Sequence, residues 1–160
     1  YGPMVNDDRF TTLFEGWGIG KDGYGGGTVN HSWSGGGLTV LSQYLCGVAP
    51  LEPGYKTFQI IPQPGTIREA SVVVPSVAGE IRSSYRLVDK RFAMGATVPA
   101  GTQAVLGISD RYRSVRVNGV EVFRRGRFVS NTVAEQVTEI YRESYRLFLV
   151  PEGEWEVEAL

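Results

Sequence analysis

The feature that most constrains this chain is a change of hydrophobic period near residue 50. Beyond Pro53-Gly54, apolar and polar residues alternate in short runs bounded by turn residues. That pattern belongs to strands with one buried face. Candidate strands lie at 57–61, 70–74, 80–88, 92–98, 103–108, 114–117, 120–123, 132–139, 141–150 and 154–159. The last is the cleanest, with Trp155, Val157 and Ala159 alternating with Glu154, Glu156 and Glu158. Asn118-Gly119 between Val117 and Val120 signals a two-residue hairpin, because both residues tolerate positive φ. Pro151-Glu152-Gly153-Glu154 marks another turn. Short strands with regular turns predict a mainly β fold, an antiparallel β-sandwich. In the last fifty residues Arg and Glu are balanced, eight of each, which suits a solvated sheet surface.

Before Pro50 the composition is different. Ten of the 21 glycines fall between Gly16 and Gly37, among aromatics and few branched aliphatics. One helix is predicted, at about 35–46. Leu38, Leu41, Tyr44, Leu45 and Val48 keep helical spacing. Ser34 is the expected N-cap, and Gly47 with Pro50 the expected stop. Gly35-Gly36-Gly37 is costly in a helix, about 1 kcal/mol per glycine relative to Ala. The cost predicts that a backbone or a ligand packs very close to the helix start.

Several function classes are disfavoured. Lys plus Arg is 16 and Asp plus Glu is 17, a net charge of -1, without the basic excess of a nucleic-acid binder. No apolar run reaches the roughly 18 residues of a membrane-spanning helix. No charged-then-apolar leader is visible in the stretch given. The single Cys46 excludes an internal disulfide and leaves the redox compartment, and with it the localisation, open. A single His31 excludes His-rich metal sites, so no metal and no cofactor are expected. Gly18-x-Gly20-x-x-Gly23 has the letters of a dinucleotide loop, but no apolar strand precedes it and no amphipathic helix opens directly after it. Asp22 stands where a phosphate loop needs Ser or Thr. No Gly-x-Ser-x-Gly elbow supports a Ser-His-Asp triad through His31.

Two segments carry more chemistry. In Thr12-Leu13-Phe14-Glu15-Gly16-Trp17 a carboxylate sits between aromatics. Aromatic faces suit the C–H faces of a sugar ring, and a neighbouring carboxylate can take a proton from water or hold a hydroxyl. Asn30-His31-Ser32-Trp33 places the lone His beside an amide and a Trp, just before a helix start with its unpaired N–H groups. Taken singly, plainer accounts stand ahead: a surface Glu beside core aromatics, and a structural His capping a turn.

Together these segments resemble a known family. Thr12–Trp17, then 28–36 (Thr-Val-Asn-His-Ser-Trp-Ser-Gly-Gly), Leu41-Ser42-Gln43-Tyr44, Gly47-Val48-Ala49-Pro50 and Pro53-Gly54-Tyr55-Lys56-Thr57-Phe58 are similar to the C-terminal part of glycoside hydrolase family 78 α-L-rhamnosidases. The likeness continues through Gly79-Glu80-Ile81 and Val98-Pro99-Ala100-Gly101-Thr102, and covers roughly the first 110 residues. Beyond them the chain fits only as sandwich strands.

The resemblance implies the end of an (α/α)6 catalytic barrel at residues 1–54, with the helix at about 35–46 left over from that barrel, and a C-terminal β-sandwich domain at 55–160. It implies an inverting glycosidase that removes terminal α-L-rhamnose. Glu15 would be the general base and His31 a sugar contact, with Trp17 and Trp33 as supporting substrate-binding aromatics. Phe14 stands where the family commonly has Trp, which would alter the aromatic wall. The general acid would lie upstream, in a stretch with no counterpart here. Twelve helices need about 200 residues, and only about 50 precede the sandwich, so the isolated chain is expected to be inactive. Partners would be rhamnose-containing glycosides or polysaccharides and the rest of the barrel; the localisation stays open, with a periplasmic or secreted parent among the options. A helix without its barrel neighbours should have an exposed apolar face, covered by the sandwich or by another copy of the chain. The alternatives are a non-catalytic accessory or carbohydrate-binding sandwich, and a related glycosidase for another sugar.

Overall fold

A computed structural model describes residues 1–6, 8, 12–16, 27–28, 30–138, 140 and 143–160. The chain divides into two compact units, Tyr1–Val40 and Leu41–Leu160.

The first unit contains a one-turn helix α1 (Gly2–Val5), a 3₁₀ turn at Ser32–Gly35 and a short helix α2 (Gly36–Val40). The second unit opens on a single π-helical turn, Leu41–Leu45, closed by the Cys46 N–H donating to Leu41 C=O at 3.0 Å. The expected helix is therefore present, but its hydrogen-bond period changes along its length. Ser34 is not its cap. The chain turns helical earlier, so the extended residue before the turn is His31, and Ser34 falls inside it. Gly47 does end the helical run, at φ +78°. Of the residues that keep the helical spacing, Leu38, Leu41 and Tyr44 are more than half exposed, whereas Leu45 packs against the sandwich core and Val48 lies outside the helix, buried in a strand.

Gly47 also meets a second demand. A Cβ there would lie 2.1 Å from the carbonyl carbon of Ile61, and the Ile61 N–H donates to Gly47 C=O. Only glycine fits a left-handed residue pressed against a neighbouring backbone.

The rest of the second unit is β structure. The strands are β1 (Val48–Pro50), β2 (Thr57–Ile60), β3 (Glu69–Ser76), β4 (Gly79–Val88), β5 (Arg91–Val98), β6 (Gln103–Ser109), β7 (Ser114–Val117), β8 (Val120–Arg124), β9 (Arg127–Phe128), β10 (Glu135–Val137), β11 (Tyr145–Val150) and β12 (Gly153–Ala159). They form a five-stranded sheet, β1-β2-β6-β11-β10, and a seven-stranded sheet, β3-β4-β5-β12-β7-β8-β9. All ten expected strands are present. β1 and β9 are additional; β11 starts only at Tyr145, after a turn at Glu143-Ser144, and residues 139, 141 and 142 of the expected strands lie outside the described residues; β10 is shorter than expected. Asn131 explains the shortening: its Oδ1 accepts the N–H groups of Val133 and Ala134, which folds 131–134 into a turn. Every pairing is antiparallel except β2 with β6. The Asn118-Gly119 hairpin forms with both residues at positive φ, 46° and 78°.

The alternation seen in the sequence fills one core between the sheets. Phe58, Ile60, Leu106, Ile108, Phe148 and Val150 come from the smaller sheet, and Ile81, Tyr85, Met94, Val115, Val117 and Val157 from the larger. Each fully buried large apolar side chain contributes roughly 1.5–3 kcal/mol, so this layer dominates stability. Outside it the larger sheet is polar, and Arg82, Arg86 and Arg124 pair with Glu80, Glu69 and Glu121. Such exposed pairs each contribute little, so the core rather than the charge ladder holds the sandwich.

Candidate functional site

Two stretches of the first unit lie against each other. The Glu15 N–H donates to Thr28 C=O at 2.9 Å, and the His31 N–H donates to Leu13 C=O at 2.8 Å. Phe14, between them, is buried. The Ser34 hydroxyl donates to Phe14 C=O, which ties the 3₁₀ turn to the Glu15 segment. The side chain that sequence reading took for a cap is thus a cross-link between the two motifs.

This lacing brings Glu15 and His31 together. Oε2 of Glu15 lies 3.5 Å from Nδ1 of His31. The same Oε2 accepts the backbone N–H of Thr28 at 2.8 Å and the Thr28 hydroxyl at 3.3 Å. Thr28 Oγ1 is also 3.0 Å from His31 Nδ1. Both side chains remain partly open to solvent, 28% for Glu15 and 30% for His31. One carboxylate is thus held by a backbone donor yet can still be reached from solvent.

Trp33 packs its ring on His31, with centroids 4.2 Å apart at a tilt of 43°. It is 69% exposed, so most of its face remains available. Trp17 lies outside the described residues. Of the four residues expected at the site, Glu15, His31 and Trp33 therefore converge. Thr28 was missed by sequence reading; the one signal for it was its place three residues before His31.

The triple glycine is explained at one position. A Cβ on Gly37 would lie 2.8 Å from the Tyr1 ring, and the Gly37 N–H donates to the Tyr1 hydroxyl at 3.1 Å. A side chain, rather than the backbone or ligand expected, makes the close approach. Gly35 and Gly36 have open space at their Cβ positions.

Among the described residues, no cluster of three or more His, Cys, Asp or Glu is arranged to hold a metal. Among them, no helix is long and apolar enough to cross a membrane.

Comparison with known proteins supplies the family context. Residues 47–123 match the family model described as the bacterial alpha-L-rhamnosidase C-terminal domain. A curated alpha-L-rhamnosidase of Formosa agariphila is 29% identical over 102 residues, covering 62% of this chain and 11% of that protein. The alpha-L-rhamnosidase structure from Dictyoglumus thermophilum matches 92% of this chain and 16% of its own, with a TM-score of 0.74 at 18% identity. The Streptomyces avermitilis alpha-L-rhamnosidase complexed with L-rhamnose matches 92% of this chain and 13% of its own, with a TM-score of 0.69 at 18% identity. The chain thus spans a small fraction of each relative. Residues 47–123 thus carry a sequence pattern similar to the bacterial alpha-L-rhamnosidase C-terminal domain, and the chain shares the fold of a segment of two solved alpha-L-rhamnosidases.

Proposed function

We propose that the chain is the C-terminal portion of an inverting α-L-rhamnosidase, with residues 1–54 the end of its catalytic barrel and 55–160 its sandwich domain. Glu15 is the general base in this reading. The observation that carries it is the environment of Oε2, anchored by the Thr28 N–H at 2.8 Å, beside His31, and still reachable by water. A carboxylate fixed in this way can take a proton from a water aimed at the anomeric carbon. His31 contacts a sugar hydroxyl, and Trp33 offers the ring's C–H face an apolar wall, with Trp17 as its proposed partner.

An inverting enzyme needs a second carboxyl group about 6.5–9.5 Å away, the acid that protonates the leaving oxygen. That acid belongs to the preceding part of the parent protein, so the isolated chain binds sugar at best and does not hydrolyse it. Glu15→Gln in the full parent protein tests the assignment. It should lower kcat by a factor of about 10³ or more on a rhamnoside substrate while the unfolding midpoint stays put. A rate near that of the unmodified enzyme would overturn it.

A second reading is a supporting or carbohydrate-binding role for the sandwich alone. It is favoured by the family match at 47–123, which lies wholly outside the Glu15 segment. A related glycosidase acting on another sugar is the third. Titration of the 160-residue chain with rhamnose-containing oligosaccharides separates a binding role from a packing role.

A further inference from the structure

One end of the sandwich gathers four cations on a single concave surface. Arg68 precedes β3, Lys90 sits in the β4–β5 turn, and Arg111 and Arg113 lie on the β6–β7 connection. All four side chains line one open concavity of about 940 Å³. Asp89 is the one acidic side chain among its lining residues. The chain as a whole carries a net charge of -1, so this concentration is local. Elsewhere on the sheets Arg82, Arg86 and Arg124 each face a Glu, while Arg91, Arg116 and Arg127 are dispersed on separate strands, so what marks the four is their convergence on one concavity. Among the described residues, none of these four cations is in an ion pair.

The site is also partly ordered in advance. The Arg111 guanidinium lies 4.7 Å from the Tyr112 ring centroid and donates to its hydroxyl. Tyr112 is buried against Phe92, with ring centroids 5.9 Å apart, and its C=O accepts from Arg146. The Arg113 N–H donates to Leu160 C=O at 2.7 Å, and the Leu87 N–H to Arg68 C=O at 2.7 Å. The backbone beneath the cations is therefore fixed, which lowers the entropic cost of capturing an anion.

We propose that this concavity binds an anionic sugar unit of a glycan, with guanidinium groups gripping a carboxylate or a sulfate ester. Planar guanidinium forks match both groups with paired hydrogen bonds. A bound sugar of this kind would hold a charged polysaccharide on the sandwich. The sugar half of the proposal rests on the glycosidase reading above; the anion half rests on the cations themselves. Extended nucleic-acid binding fits less well, because the one aromatic lining the concavity beside the cations, Tyr112, is buried and offers no exposed stacking face.

Calorimetric titration of the 160-residue chain tests it, with trigalacturonate, its neutral trimethyl ester, sucrose octasulfate, inorganic sulfate and a hexadeoxynucleotide as probes. Trigalacturonate or sucrose octasulfate should bind, the ester should not, and raising salt should weaken binding. Arg68→Ala with Arg113→Ala should raise Kd at least about tenfold, while Arg82→Ala, outside the concavity, should leave it unchanged. An unaltered urea midpoint certifies that the variants fold. Absence of binding by both anionic sugars overturns the proposal. So does binding indifferent to the double substitution, or equal affinity for inorganic sulfate or the oligonucleotide. Titration reads no hydrolysis, so this outcome and that of Glu15→Gln are independent.

Discussion

Nδ1 of His31 stands 3.5 Å from Oε2 of Glu15, and one hydroxyl, Thr28 Oγ1, lies within 3.3 Å of both. Thr28 therefore positions two groups at once. Thr28→Val keeps the backbone donor to Glu15 and removes the hydroxyl. A hydrogen bond to a charged group is worth about 1.5–3 kcal/mol, so kcat/KM of the full parent protein should fall roughly 10- to 100-fold. Thr28→Ser should restore most of it. Steady-state kinetics on a rhamnoside, with a urea midpoint as control, checks this.

Gly47→Ala should be severe. The substitution combines a left-handed backbone with a Cβ 2.1 Å from a backbone carbon of Ile61. Strain and overlap together should remove about 3 kcal/mol or more, read as a large drop in the urea midpoint. A midpoint within error of the unsubstituted chain would refute the close approach.

Phe148→Ala should cost about 3–5 kcal/mol, because its ring is fully buried and lies 6.2 Å from that of Phe123, so its loss leaves a cavity. Equilibrium denaturation measures the difference.

Cys46 should be inert in the folded chain. Its thiol is buried, and burial pushes its pKa up, so little thiolate is present to react. Ellman's reagent at pH 8 should modify it at least about a hundredfold faster after unfolding in guanidinium. The linkage has a definite sign. Below about pH 8.5 the thiol is neutral in both states; above it the unfolded chain loses the proton first, so stability falls as pH rises. Tyr85, raised by its own burial and then by Cys46, acts in the same direction at higher pH. Denaturation midpoints of Cys46→Ala and the unsubstituted chain should therefore diverge above pH 8.5.

Much of the sandwich was legible because alternation is a local property. The strand carrying Trp155, Val157 and Ala159 announces its buried face without reference to any neighbour. Val48-Ala49-Pro50 does not: three residues are too few to show a period, and Val48 also continues the helical spacing. The parallel pairing of Thr57–Ile60 with Gln103–Ser109 was hidden for another reason, since strand direction is decided by which partner the fold supplies. At the site, Glu15 and His31 were legible as residue types in a familiar order. Thr28 was not, because its role exists only once the segments around Leu13 and His31 are laced together. Ser34 misled for the same reason: a serine before a helical run reads as a cap until the turn is found to start sooner.

The place of β12 bears on how the domain is made. The strand nearest the end of this chain lies in the interior of the larger sheet, hydrogen-bonded to β5 on one side and β7 on the other. Until Gly153–Ala159 is available, β3-β4-β5 and β7-β8-β9 share no ladder. A ribosome synthesising this segment would thus emit two half-sheets with raw edges, open to wrong partners, and the larger sheet would close only once Gly153–Ala159 had left the exit tunnel. Closure of the larger sheet waits on one strand, β12.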